Sequence, residues 1–195
     1  MSAVTGLVLA GGLGRRMGGV DKGLVDLDGR PMVAHVIERL APQVDALLIN
    51  ANQNAERYGG FGHPVVADRI GGFAGPLAGL HAGLSVAQTP LLVSVPCDSP
   101  FLPLDLVARL RAALEVDGTQ VAVARTGAQP QPVFSLVRRD VLDDLTAYLA
   151  GGGRKIDAWY ARLALTEVSF DDQPAAFANI NTREELSGFQ GAAKK

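Results

Sequence analysis

With 195 residues and 48% hydrophobic content the chain has the size for one domain around a substantial core, and its 20 acidic and 18 basic residues leave a net charge of −2. That balance excludes a global pull toward nucleic acid or an anionic membrane, so any anion binding must come from locally focused charge. A lone cysteine, Cys97, excludes an internal disulfide and a cysteine-rich metal site.

No charged leader precedes an apolar stretch, and no apolar run nears the ~20 residues of a membrane span, so a cytoplasmic protein is expected. The chain opens with an apolar run, Val4 to Leu9, of the length and composition of a buried strand. Directly after it comes Leu9-Ala10-Gly11-Gly12-Leu13-Gly14-Arg15-Arg16-Met17-Gly18-Gly19-Val20-Asp21-Lys22-Gly23. Glycine lacks the Cβ that keeps a backbone N–H from a phosphate oxygen, so Gly11, Gly12 and Gly19 are candidate phosphate contacts. Arg15, Arg16 and Lys22 add fixed positive charge, and donors plus cations suit a polyanion such as a nucleoside triphosphate. The plainer alternative is a tight strand-to-helix turn carrying surface arginines. Spacing rules out two common phosphate loops. A Walker A loop needs Gly-Lys-Ser/Thr, whereas Lys22 stands between Asp21 and Gly23. A dinucleotide fingerprint counted from Gly12 and Gly14 finds Met17 where its third glycine belongs.

After the loop, Val25 to Arg30 reads as an extended piece turning at Asp28-Gly29, a dipeptide suited to positive φ. Pro31 then suits the first position of a helix whose apolar face is Val33, Val36, Ile37 and Leu40. Ala46 to Ile49 is a second strand with Asn50 at its carboxyl end, and Pro64 to Ala67 a third, ending at Asp68. Pro76 opens a helix in which Gly75, Gly79 and Gly83 recur every four residues, leaving one face nearly bare. Glycine inside a helix costs roughly 1 kcal/mol against alanine, so the spacing implies close approach by a ligand or tight packing on a sheet. His81 on this helix reads as a packed or surface residue, since His35 and His63 give no metal-binding spacing.

Leu91 to Val95 is the clearest strand and runs into Pro96-Cys97-Asp98-Ser99-Pro100, with a helix expected from about Pro103 to Leu114. Cys97 reads as a small half-buried residue, no histidine standing near it in sequence. Val121 to Ala124 and Pro132 to Val137 are strands, the second entered through Gln129-Pro130-Gln131-Pro132, where proline favours an edge. A helix over Asp140 to Leu149 stops at Gly151-Gly152-Gly153. Arg154-Lys155 then open a short amphipathic piece ending near Arg162, and Leu163 to Phe170 is a last strand. Asn179-Ile180-Asn181-Thr182 leads into a terminal helix with Thr182 and Glu185 at capping-box spacing.

Strands alternating with helices argue a mostly parallel sheet covered on both faces, an α/β Rossmann-like architecture. In parallel strands all carboxyl ends lie along one edge, so the glycine loop, Asn50, Asp68 and Asp98 are expected around one crevice. Two aspartates at strand ends beside a phosphate loop suggest Mg²⁺, a hard ion held by one or two carboxylates plus phosphate oxygens. Asp98 is the first choice of metal ligand, against a turn or helix cap ahead of Ser99-Pro100. Asp68 contacts the nucleotide, or pairs with its neighbour Arg69 at the surface. With Lys22, Asp98 and Arg16 at the phosphates, transfer at phosphorus needs mainly alignment and charge stabilisation. No His-Asp or Cys-His dyad stands out, which suits an acceptor that is already an anionic phosphate monoester.

The string LAGGLGRRMGGVDKGL resembles the loop of the nucleotidyltransferases and, more closely, that of the molybdenum cofactor guanylyltransferases. Asp28-Gly29-Arg30-Pro31, Ile49-Asn50-Ala51-Asn52, Val66-Ala67-Asp68, Gly75-Pro76-Leu77-Ala78-Gly79, Pro96-Cys97-Asp98 and Asn179-Ile180-Asn181-Thr182 resemble the same family in the same order. The resemblance implies a three-layer α/β/α nucleotidyltransferase fold, a nucleotide half over about 1–115 and an acceptor half over about 116–190 of one domain. It implies that GTP and molybdopterin, metal-free or molybdenum-loaded, condense to a guanine dinucleotide with release of pyrophosphate and a requirement for Mg²⁺. Carried over by position, Leu9, Ala10, Gly11, Lys22, Asn50, Asp68 and Asp98 bind GTP, with Asp98 also on the metal; Gly12, Gly19, Gly75 and Gly79 are further candidate contacts from their glycine spacing. Asn179 and Asn181, with Arg154 and Lys155, face the molybdopterin. The family often shows a second arginine where this chain has Lys155, which lacks the bidentate fork. Leu-Ala-Gly-Gly also resembles the guanine-selecting form, the related cytidylyltransferases tending to show Leu-Ala-Ala-Gly. Contact with molybdoenzyme maturation proteins and a monomeric state are further expectations. Competing readings are a nucleotidyltransferase using CTP or a sugar phosphate acceptor, and a non-catalytic module that binds nucleotide and delivers the cofactor.

Overall fold

The computed structural model describes residues 2–10, 21–71, 75–116 and 118–180, with 185 and 188. Its centre is a seven-stranded sheet in which β1 (Val4–Leu9) is flanked by β4 (Ala46–Asn50) and β6 (Leu91–Pro96), both parallel to it. β5 (Val65–Val66) extends the sheet beyond β4, while β8 (Gln129–Arg138), β7 (Val121–Thr126) and β9 (Leu165–Ser169) extend it beyond β6, giving the order β5-β4-β1-β6-β8-β7-β9. Only β8 among these seven is reversed. A small hairpin of β2 (Asp26–Leu27) and β3 (Arg30–Pro31) follows the expected turn, with Asp28 and Gly29 both at positive φ, 54° and 85°.

Burial on both faces explains why the strands read as apolar runs rather than as alternating ones. In β1, Val4 and Val8 join the cluster beneath α1 (Met32–Leu40) and α4 (Leu106–Leu114), whereas Leu7 joins the cluster beneath α3 (Pro76–Val86) and α5 (Leu142–Ala150). In β6, Val93 and Val95 face the first pair of helices and Leu92 the second. α2 (Ala55–Gly59) sends Tyr58 into the first layer, and α6 (Ile156–Tyr160) sends Trp159 and Tyr160 into the second. A helix–sheet–helix sandwich results, and the α/β expectation holds. Among the described residues no helix is long and apolar enough to cross a membrane.

One expectation is corrected. The prolines ahead of Val133 pointed to an edge strand, yet β8 lies between β6 and β7. β6 pairs only with its second half, Ser135 to Arg138, so the Pro130 and Pro132 stretch has a ladder partner on the β7 side alone. A missing N–H costs nothing on the side where no strand pairs. Where the two halves meet, the β7–β8 register jumps between Val123 and Ala124, forming a bulge. Helix starts shift slightly: α4 begins at Leu106, three residues after Pro103, with Asp105 at its N-cap.

Candidate active site

Three parallel strands, β4, β1 and β6, end side by side, and their carboxyl ends assemble the candidate site. Leu9 and Ala10 stand at the middle: Ala10 donates its N–H to the Asn50 carbonyl at 2.8 Å, and Leu9 accepts from Cys97 N at 3.1 Å. On the β4 side, buried Asn50 donates from Nδ2 to Asp68 Oδ1 at 2.8 Å. The other oxygen of Asp68 accepts from Asn52 Nδ2 at 2.8 Å, and Asn52 Oδ1 takes the Asp68 backbone N–H at 2.8 Å. Asp68 is therefore an acceptor for two amides, not the Arg69 partner that its neighbour in sequence suggested. Its carboxylate fixes which way the Asn50 amide faces.

On the β6 side, the chain turns after Pro96 and presents Asp98, whose Oδ2 lies 3.3 Å from Lys22 Nζ. The two side chains are 12% and 23% exposed, enough for a ligand to reach and little enough to weaken screening of their attraction. The cap alternative for Asp98 does not hold, since the next helix begins at Leu106 with Asp105 at its N-cap. Lys22 opens a 3-10 turn, Lys22–Leu24, closed by Leu24 N–H to the Asp21 carbonyl at 3.1 Å. Cys97 is buried, and burial, with Asp98 and Asp21 nearby, pushes its thiol above the ordinary range. It stays a neutral packing group and is no nucleophile.

Asn179 arrives from the far end of the chain. Ile180 N–H donates to the Asp98 carbonyl at 2.9 Å, and the buried Ser99 hydroxyl donates to Asn179 Oδ1. Sequence reasoning passed over Ser99, which before Pro100 read only as part of a turn. Arg154 stands at the carboxyl end of α5, donating from one guanidinium nitrogen to the carbonyls of Leu149 at 3.0 Å and Gly153 at 2.7 Å. Lys155 follows as the N-cap of α6. Both are exposed. Because α5 runs back along the sheet after reversed β8, it returns this turn to the same edge as Asp98, although among the described residues no hydrogen bond or ion pair joins Arg154 or Lys155 to Asp98.

The glycines of α3 divide. Gly75, at φ 59° and exposed, supplies a positive-φ N-cap. Gly79 faces Asn50: a Cβ there would meet Asn50 Oδ1 at 2.3 Å and Leu9 Cδ2 at 2.5 Å. Gly83 faces Leu7 and Leu92 in the same way. Packing on the sheet thus requires glycine at both Gly79 and Gly83, and at Gly79 it seats Asn50. Gly11, Gly12, Gly19, Arg16, Asn181 and the expected Thr182 cap lie outside the described residues.

A family model described as the MobA-like NTP transferase domain matches residues 6–165. The chain is 57% identical over 188 residues to the molybdenum cofactor guanylyltransferase of Cupriavidus taiwanensis, with 94% of each chain covered. It is 56% identical over 194 residues to the protein of the same name from Ralstonia nicotianae, covering 95% of each. A crystal structure of molybdopterin-guanine dinucleotide biosynthesis protein A from Archaeoglobus fulgidus superposes with a TM-score of 0.80 at 24% identity, over 97% of this chain and 98% of that one.

Proposed function

This chain belongs to the MobA-like NTP transferase family, and on that premise we propose that it transfers GMP from GTP to molybdopterin or its molybdenum-loaded form. A terminal phosphate oxygen of the acceptor attacks the α-phosphorus of GTP, a new P–O–P link forms, and the bond to the β-phosphate breaks, so that pyrophosphate leaves. The observation that carries the reading is the Lys22–Asp98 pair, 3.3 Å apart, with Asp98 just past the end of β6 and Lys22 in the 3-10 turn Lys22–Leu24. Relatives at 57% and 56% identity that carry the guanylyltransferase name support GTP as the donor.

In this scheme Leu9, Ala10, Asn50 and Asp68 form the nucleoside side of the crevice, where the fixed Asn50 amide and the Asp68 carboxylate read polar edges. Lys22 holds phosphate oxygens and stabilises the charge that grows on them, a service that matters most in a partly dehydrated site. Asn179, held by Ser99, faces the acceptor, with Arg154 and Lys155 as its cations. An acceptor phosphate is ionised near neutral pH, so no strong base is required.

Mg²⁺ fits the donor set. Among the described residues no cluster of three or more His, Cys, Asp or Glu forms a protein cage for an ion. One carboxylate, Asp98, is instead open at the crevice, and Mg²⁺ characteristically takes one or two carboxylates and completes its shell with phosphate oxygens and water. When bound, the ion would neutralise phosphate charge. Until then Lys22 offsets the Asp98 charge.

The test is pyrophosphate release with GTP, CTP, ATP or UTP against molybdopterin and against sugar phosphates. Turnover with GTP and molybdopterin is expected. Turnover only with CTP or only with a sugar phosphate overturns the substrate assignment, and GTP binding without release turns the chain into a delivery module.

A further inference from the structure

Lys22 is gripped at its ammonium end by Asp98, and its backbone is gripped as well. The preceding residue, Asp21, accepts from two side chains of the α2 segment, far away in sequence: the Tyr58 hydroxyl donates to Oδ1, and Asn54 Nδ2 donates to Oδ2 at 2.9 Å. Tyr58 is fully buried, and burial, with Cys97 and Asp21 beside it, pushes its phenol above the ordinary range, so the hydroxyl keeps the proton it donates. Asn54 adopts a left-handed backbone, φ 53° and ψ 31°, as the N-cap of α2.

On the other side of Lys22, buried Gly23 leaves room for nothing larger. A Cβ there would meet the Tyr58 hydroxyl at 2.6 Å and Cys97 Sγ at 3.3 Å. The lysine turn is therefore seated against Tyr58 and against the residue that immediately precedes Asp98. From this arrangement we infer that Tyr58 and Asn54 are positioning residues for Lys22: through Asp21 they fix the turn that aims the ammonium at the phosphates. The inference rests on the proposed role of Lys22 and adds a part of the chain, α2, that the crevice does not otherwise use.

A hydroxyl deletion here leaves the core filled, whereas a misplacement of 1 Å in a reacting group costs ~10²-fold in rate. Tyr58→Phe is expected to lower kcat for pyrophosphate release about tenfold with the KM for GTP within about twofold of wild type. Asn54→Gly, which tolerates the left-handed backbone and removes the side chain that donates to Asp21, is expected to act in the same direction; Asn54 is exposed, so this variant carries the test if Tyr58→Phe does not fold.

The discriminating readout is the double-mutant cycle. In a Lys22→Ala background both substitutions should cost nothing further, because there is no ammonium left to aim. Equal fold losses in the presence and absence of Lys22 reveal a merely structural role and overturn the inference, as does wild-type kcat in both single variants. A wild-type enzyme that releases no pyrophosphate from GTP overturns the functional reading and this inference with it, whereas an active wild type with unaffected variants removes the inference alone.

Discussion

Gly79→Ala adds one methyl group where the structure leaves no space. The new Cβ would stand 2.3 Å from Asn50 Oδ1 and 2.5 Å from Leu9 Cδ2, both on the crevice edge of the sheet. Asn50 is buried and tied to Asp68 and to the Val66 carbonyl, so it cannot swing away without breaking those bonds. Overpacking of this kind costs about 1–3 kcal/mol. The loss of a hydrogen bond adds about 0.5–1.5 kcal/mol, and alanine returns roughly 1 kcal/mol of helix propensity. The net expectation is destabilisation by about 1–3 kcal/mol, read as a lower urea midpoint at unchanged m-value. Because the displaced group is the candidate nucleoside contact, the KM for GTP should also rise, roughly five- to tenfold for ~1 kcal/mol of lost interaction. Gly59→Ala, at the end of α2 with no atom within 4 Å of its Cβ, is the matched control and should be neutral or stabilising. A Gly79→Ala protein as stable as wild type with an unaltered KM for GTP would refute the claim that this glycine exists to seat Asn50.

Lys22→Ala should lower turnover by ~10²–10³, the usual effect of deleting one transition-state charge contact, and an unchanged rate removes Lys22 from the mechanism. Ser99→Ala removes the hydroxyl that donates to Asn179 Oδ1, so the KM for molybdopterin should rise several-fold while that for GTP stays put; equal changes in both would contradict the acceptor-side placement. His81 supplies a pH prediction. Its Nε2 lies 3.1 Å from Thr146 Oγ1, and that hydroxyl already donates to the Leu142 carbonyl, so Nε2 carries the ring proton. Nδ1 is then a bare buried acceptor without a partner among the described residues, and burial, helped by Arg69, pulls the imidazole below its ordinary 6.5. The unfolded chain binds the proton first, so stability should be full above about pH 6.5 and fall as pH drops from there toward the lowered value. His81→Gln should flatten that part of a urea-midpoint profile against pH, and an identical slope in both proteins would refute the assignment.

Much of this site was legible in advance for a topological reason. Buried parallel strands show as continuous apolar runs, and once Val4 to Leu9, Ala46 to Ile49, Pro64 to Ala67 and Leu91 to Val95 are strands of one parallel sheet, whatever follows them must meet at one edge. Asn50, Asp68 and Asp98 needed no further information. Contacts made by residues outside that pattern stayed hidden. Tyr58 lies in a five-residue helix within a polar stretch, too short for any periodicity to mark its buried face. Asp21 stood out in the sequence only as the neighbour that rules out a Walker A loop. Proline in β8 announced a missing donor but not on which side of the strand it was missing, and the reading of an edge failed at that point. The recurring glycines of α3 had two readings because the helix is apolar all round, and only the positions of Asn50, Leu7 and Leu92 separate them.

Asp98→Asn puts the central claim to its most direct test, because it keeps size and removes the carboxylate charge that faces Lys22 at 3.3 Å. Pyrophosphate release from GTP and molybdopterin, titrated with Mg²⁺, should require far more metal in the variant and reach a maximal rate ~10²-fold or more below wild type, while the fold stays intact by urea unfolding. A variant that turns over at the wild-type rate with the same metal dependence would contradict the claim that these strand ends hold the reacting phosphates.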